Sequence, residues 1–212
     1  AIGTKLGDFT TGSWSNFQNP NFKLVSINAA RFDVTKHRSL PVVSDAKLGL
    51  QELSKVLDDW KAPTPWYERA VKELEEWDKY IEKASGPTNQ ELPSYAHAVG
   101  AVYRNSDPSD VVVTAAGGLV GEAVQIWKPK ELNTFESEWG FSCMGYEISG
   151  ALGMKMAKPD QDFIVFIGDG SYLLQNSDIY SSVIYEKKLI IIVCDNGGHM
   201  VINRLQLAKG GK

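Results

Sequence analysis

The sequence predicts an α/β protein: a doubly wound parallel sheet preceded by part of a second α/β domain. Three observations carry that reading. The runs at 163–167 (FIVFI) and 189–194 (LIIIVC) are apolar without polar alternation, the mark of parallel strands covered on both faces. From Leu92 onward, helical spacing alternates with such runs, as βαβ units require. Before residue 60, a stretch with strand alternation gives way to a helical pattern, as in the closing half of another α/β domain.

In chain order, 22–28 (FKLVSIN) alternates apolar and polar and reads as a half-buried strand ending in a turn. A second short strand is expected at 40–43. After Asp45, which can cap a helix, Leu48, Leu50, Leu53, Val56 and Leu57 recur at near-helical spacing. KAPTP at 61–65 breaks the chain. Trp66, Ala70, Leu74, Trp77 and Ile81 then mark a long amphipathic helix, with Glu68/Lys72 and Glu75/Lys79 as i,i+4 pairs on its other face. Ser85-Gly86-Pro87-Thr88-Asn89 ends it. Helices are expected at 93–105, 119–127, 144–157 and 173–186, and strands at 110–116, 162–168 and 189–195. The division is 1–60, the C-terminal half of an α/β domain; 61–88, a linker with the long helix; and 89–212, a doubly wound α/β domain.

Composition excludes several function classes. With Lys+Arg 22 against Asp+Glu 26 and a formal charge of −4, the chain has no basic stripe for nucleic acid. Its apolar runs fall far short of the roughly 20 residues that span a bilayer. Cys143 and Cys194 have neither disulfide-framework nor metal-binding spacing, so two reduced thiols and a cytoplasmic location are expected.

In open parallel sheets, ligands bind beyond the carboxyl ends of the strands. Three such ends carry unusual loops: Ala115-Ala116-Gly117-Gly118, Gly168-Asp169-Gly170-Ser171 and Asp195-Asn196-Gly197-Gly198. Glycines on both sides of Asp169 permit positive φ and close approach of a ligand. The helix opening at Ser171 and Tyr172 would turn amides toward a phosphate. An aspartate beside a phosphate repels it unless a divalent cation intervenes, and Mg²⁺ bridges carboxylates to phosphates in this way. Asn196 lies 27 positions after Asp169 (196 − 169), which is one helix plus one strand, so a single βαβ unit returns it to the neighbouring strand end. The Gly198 carbonyl would be a third ligand. Each loop alone reads as an ordinary turn; the pairing at βαβ spacing is what gives the metal–diphosphate reading its force.

The segment GDGSYLLQNSDIYSSVIYEKKLIIIVCDNGG resembles the thiamine diphosphate signature, and WGFSCMGYEISGALGMKMA resembles the segment that cradles the thiazolium and pyrimidine in the acetolactate synthase group. Within that group, GTKLGDFTTGSW, FQNPNFKLVSIN and DVVVTAAGGLVGE are similar to the trihydroxycyclohexane-1,2-dione hydrolases of inositol breakdown. The resemblance implies that 1–60 is the C-terminal half of the group's central domain and 89–212 its diphosphate-binding domain, expected to stop short of its last strands, with thiamine diphosphate and Mg²⁺ as cofactors. It implies that Met144 supports the bent cofactor, that the Ser142 carbonyl and Met144 amide bind the aminopyrimidine, and that Gly117 and Gly118 make room for the diphosphate or thiazolium. It also implies a homodimer or homotetramer with the cofactor at a subunit interface. Asp195 departs from the asparagine usual in the group, but the ligand position is the second residue, Asn196. No catalytic residue is assigned to this chain, because the activating glutamate of the family belongs to a separate pyrimidine-binding domain; the chain alone is therefore expected to be inactive. His199 reads as a solvated loop residue, and thiamine chemistry needs no nucleophile from Cys143.

The function implied is hydrolytic ring opening of a trihydroxycyclohexane-1,2-dione. An acetolactate synthase-like carboligase or 2-oxo acid decarboxylase is the alternative. A non-catalytic diphosphate-binding module is the second, and the absence of Gly-x-Gly-x-x-Gly after any strand argues against a dinucleotide ligand.

Overall fold

The computed structural model describes residues 1–138 and 140–211. They form two compact units, Ala1–Glu68 and Arg69–Lys212.

In the first unit, β1 (Val25–Asn28) and β2 (Leu40–Val43) pair in parallel from Val25↔Leu40 to Asn28↔Val43. The short helix α1 (Asp8–Thr11) precedes them and α2 (Arg31–Val34) connects them. Asp45 caps α3 (Ala46–Leu57) as its position predicts, its carboxylate accepting from the Lys47 and Leu48 amides at 3.0 and 3.1 Å. Gly49 lets α3 approach β1, because a Cβ there would lie 2.7 Å from Ile27 Cγ2. The apolar side chains that predicted α3 remain exposed.

The division between the units falls within α4 (Thr64–Ala84). Only its last turns pack: Ile81 is buried, whereas Trp66, Leu74 and Trp77 are exposed. The expected charge pairs are replaced by others, Arg69–Glu73 at 2.7 Å and Lys72–Glu76 at 3.8 Å. These ions are well exposed, and such pairs differ by only a few tenths of a kcal/mol, too little for spacing alone to decide partners.

Among the described residues, the second unit is built on four parallel strands in the order β4-β3-β5-β6. They are β3 (Val111–Thr114), β4 (Phe135–Ser137), β5 (Phe163–Gly168) and β6 (Ile190–Cys194). Around them run α5 (Tyr95–Arg104), α6 (Gly117–Ile126), α7 (Tyr146–Ala157), α8 (Asp169–Gln175), α9 (Ser177–Ile184) and α10 (Met200–Ala208). Alternate strand residues feed two cores. Val112, Ile164 and Phe166 pack with Val99, Leu119, Ile126 and Trp127 on one face. Val111, Val113, Phe163, Val165 and Ile167 pack with Ile148 and Ala151 on the other. This is the expected doubly wound arrangement, and each buried large apolar side chain contributes about 1.5–3 kcal/mol.

The structure departs from the expected elements at several points. Strand β4 has no apolar run to reveal it; its sequence is only Phe-Glu-Ser, at a sheet edge. The helix expected over 173–186 starts earlier, at Asp169, and is two helices separated at Asn176. Asp178, just past the break, is tied to Ser149 Oγ and Gln175 Nε2 at 2.6 and 3.1 Å. Strand β6 is covered on both faces only in part: Ile190, Ile192 and Cys194 pack against one core and Ile191 against the other, but among the described residues it is the other edge of the sheet, and Val193 is 43% exposed. Helix α10 follows it without having been expected. Both cysteines are free, and no described helix is long and apolar enough to cross a membrane.

Candidate functional site: the carboxyl edge of the sheet

Parallel pairing brings the strand ends level. Thr114 is the register partner of Ser137, and Gly168 of Cys194. Among the described residues, four buried side-chain polar atoms lack any partner: Thr114 Oγ1, Ser137 Oγ, Asp169 Oδ1 and Asn196 Oδ1. One sits at the carboxyl end of each of the four strands. An unsatisfied buried polar group costs about 1–3 kcal/mol, so four at one edge mark a surface shaped for a polar ligand.

Asp169 and Asn196 follow adjacent paired strands, as the βαβ spacing predicts. The Asn196 amide nitrogen donates to the Tyr95 hydroxyl, which fixes the side chain and leaves its oxygen free. Asp195, the departure from the family pattern, closes the turn by accepting from the Gly197 amide at 2.8 Å. The Gly198 carbonyl accepts from the Met200 amide at 3.0 Å, using one of its two lone pairs.

The glycines around Asp169 act otherwise than expected. Gly168 is extended, at φ −79°, and Gly170 is not among the positive-φ residues. What matters is the missing side chain: a Cβ on Gly170 would meet the His199 ring at 2.8 and 2.9 Å and the Met144 methyl at 3.4 Å. The fold thereby brings Met144 to the Asp169 loop, and His199, although exposed, is seated against that loop rather than merely solvated. At the β3 end, Gly117 is left-handed (φ +80°) with open space around it. A Cβ on Gly118 would lie 3.2 Å from Val201 and 3.7 Å from Tyr95. Ser171 is buried behind the loop.

The segment carrying Ser142 and Met144 is shaped by Glu138, whose two carboxylate oxygens accept from the Cys143 and Phe141 amides at 2.8 and 2.9 Å. Those amides hold the Glu138 carboxyl below its ordinary range. Ser142 is left-handed at φ +55°. Loss of solvation, then the Glu138 charge, push the Cys143 thiol up, away from a reactive thiolate. Glu147 is fully buried and accepts from the Gly145 and Ala116 amides. Burial pushes its carboxyl up, against the pull of these bonds and of the Ser171 hydroxyl.

Sequence reasoning missed the roles of Tyr95, Thr114, Ser137, Glu138 and Glu147. Only Glu147 carried a usable signal, a lone acid inside the small and apolar run MGYEISGALG.

Residues 115–212 match the family model described as thiamine pyrophosphate enzyme, C-terminal TPP binding domain. These residues are thus similar to the C-terminal domain of thiamine pyrophosphate enzymes. All ten residues predicted to touch cofactor fall inside this thiamine pyrophosphate (thiamine diphosphate) domain, between Gly117 and Gly198. Over 99% of its length the chain is 34% identical to a 3D-(3,5/4)-trihydroxycyclohexane-1,2-dione hydrolase of Halalkalibacterium halodurans, of which it covers 37%. It is 33% identical to the protein of that name from Geobacillus thermodenitrificans and 34% to that from Bacillus licheniformis, covering 36% of each. The chain thus spans little more than a third of the length of these relatives.

The donor set of the domain suits a diphosphate held through a hard cation. No group of three or more His, Cys, Asp or Glu side chains that could hold a metal exists among the described residues. What the site offers is one carboxylate oxygen, one amide oxygen and a backbone carbonyl. A hard cation that keeps waters and takes further ligands from phosphate needs no more.

Proposed function

We propose that this chain binds thiamine diphosphate through Mg²⁺ as part of an enzyme that cleaves a C–C bond next to a carbonyl, by hydrolytic ring opening of a trihydroxycyclohexane-1,2-dione. The observation that carries the reading is the pair of free buried oxygens, Asp169 Oδ1 and Asn196 Oδ1, at adjacent strand ends of the thiamine pyrophosphate domain. The names of the relatives supply the substrate class. The same reading makes the protein a cytoplasmic homodimer or homotetramer, in keeping with its two free cysteines.

When bound, the cofactor would supply a nucleophilic carbon for attack on a carbonyl and an electron sink for the cleaved bond. The chain's own residues bind and orient. Asp169, Asn196 and the Gly198 carbonyl would hold the Mg²⁺, with Asp169 offsetting the cation's charge and Tyr95 keeping the Asn196 oxygen turned toward it. Gly117 and Gly168, with open space beside them, would admit the diphosphate to the backbone, whereas Gly118 makes room for Val201 and Tyr95 rather than for the ligand. Met144, brought against the Asp169 loop, would support the ring system. The Ser142 carbonyl and Met144 amide would bind the aminopyrimidine on a segment that Glu138 holds in shape.

The test compares kcat/KM for the cyclic dione and for pyruvate in the intact protein with Mg²⁺ and thiamine diphosphate. Preference for the dione, with an open-chain acid as product, supports the assignment. Preference for pyruvate, with acetolactate as product, transfers the protein to the carboligases.

A further inference from the structure

Glu147 is the second residue of α7 and is fully buried, yet the cofactor reading gives it no task. Its Oε2 accepts from the Gly145 amide at 2.8 Å, and its Oε1 from the Ala116 amide at 3.2 Å, 31 residues away in sequence. The two amides belong to different loops of the site. Ala116 directly precedes Gly117, and Gly145 directly follows Met144.

A buried carboxylate is costly unless bonded from several sides. Filling the same volume would require only Leu or Met, which need no partners. The acid is explained by what it joins. Gly145 is in the left-handed conformation at φ +97°, where its amide can turn inward, and a Cβ there would strike Gln175 at 2.7 Å. The turn before α7 is therefore pinned from both sides, by a side chain it cannot accommodate and by a carboxylate its amide reaches.

We propose that Glu147 is a positioning residue for the cofactor: its carboxylate ties the β3–α6 loop and the turn before α7 at one relative spacing, so that Gly117 and Met144 meet a single diphosphate ligand. This rests on the thiamine diphosphate reading above. Glu147 touches no cofactor atom in this role. It acts through the backbone it holds, as outer-shell partners orient metal ligands.

The test is Glu147→Gln in the intact protein, with thiamine diphosphate and Mg²⁺ titrated by calorimetry and amide exchange followed in peptides covering 116 and 145. Glutamine preserves volume but turns an amide nitrogen toward one of the two N–H groups, so one of the ties is lost. Phe163→Leu, in the core at the opposite end of β5, is the control for a general loss of stability. We expect E147Q to bind about 10- to 100-fold more weakly, with faster exchange at both peptides. F163L should keep wild-type affinity within about twofold, as a distant site does. If E147Q does not fold, Glu147→Asp, which keeps the charge and draws it back by one methylene, carries the same comparison. Binding by E147Q as tight as the wild type, or an equal loss in F163L, overturns the positioning role alone. Failure of the wild type to bind thiamine diphosphate overturns the cofactor reading, and this role with it.

Discussion

The two ends of the four-stranded sheet are built to opposite rules. At the amino end, polar groups find partners within the protein. The nearly buried Lys155 donates to the Gln161 carbonyl at 2.7 Å and lies 3.4 Å from Asp162, Lys188 reaches the same carboxylate, and Gln161 donates to the Ser109 carbonyl. At the carboxyl end, every strand leaves a buried oxygen unpartnered, and the bonds that exist, from Glu138, Glu147 and Tyr95, hold loops rather than close the surface. One end is finished by folding alone. The other keeps buried oxygens without a protein partner, and in the function proposed above it is the binding edge of the same strands.

The contrast is broken most directly at Asp169. Asp169→Ala should weaken Mg²⁺-dependent thiamine diphosphate binding by at least roughly 100-fold, beyond the usual effect of losing an outer-shell partner, while thermal unfolding without ligand stays at or above the wild-type midpoint because an unsatisfied buried oxygen is removed. Calorimetry showing unchanged affinity would sink the metal assignment. Lys155→Ala should do the reverse. Removing a buried, bonded ammonium group ought to lower stability by about 2 kcal/mol in denaturant unfolding and leave cofactor affinity alone; a matching loss of affinity would show that the two ends are not independent.

Asn196→Ala sharpens the comparison, since it removes an uncharged ligand at the binding edge. Roughly tenfold weaker binding is expected, recovered in part by raising the Mg²⁺ concentration, and an effect as large as that of Asp169→Ala would mean that charge is not what the site supplies. The smallest effect concerns pH. The Glu138 carboxyl is held below its ordinary 4.5 by the Cys143 and Phe141 amides. Its bonds to them are therefore fully present above 4.5 and lost only as pH falls through the lower folded value. The two amide resonances should move together below pH 4.5, and a shared transition at or above 4.5 would contradict the bonding seen here.

Much of the site was legible because its signals are local. The spacing from Asp169 to Asn196 depends only on the length of one helix and one strand, and apolar runs identify buried strands whatever their neighbours are. Asp45 announced its helix because a cap acts within three residues. Strand order was a different matter. Strand β4 is too short and polar to declare itself, and β6, apolar enough for a central strand, lies at an edge of the described sheet.

Sequence alone thus determined the parallel α/β architecture and the return of Asp169 and Asn196 to neighbouring strand ends, because periodicity and spacing follow from backbone geometry. Tertiary structure decided the rest. It placed Gly170 beneath His199 and Met144, turned Tyr95 onto Asn196 across 101 residues of sequence, and brought Ala116 to Glu147 across 31. Those contacts exist only once sheet order and helix packing have set the loops side by side, and no residue pattern within one segment encodes which distant amide a buried carboxylate will meet.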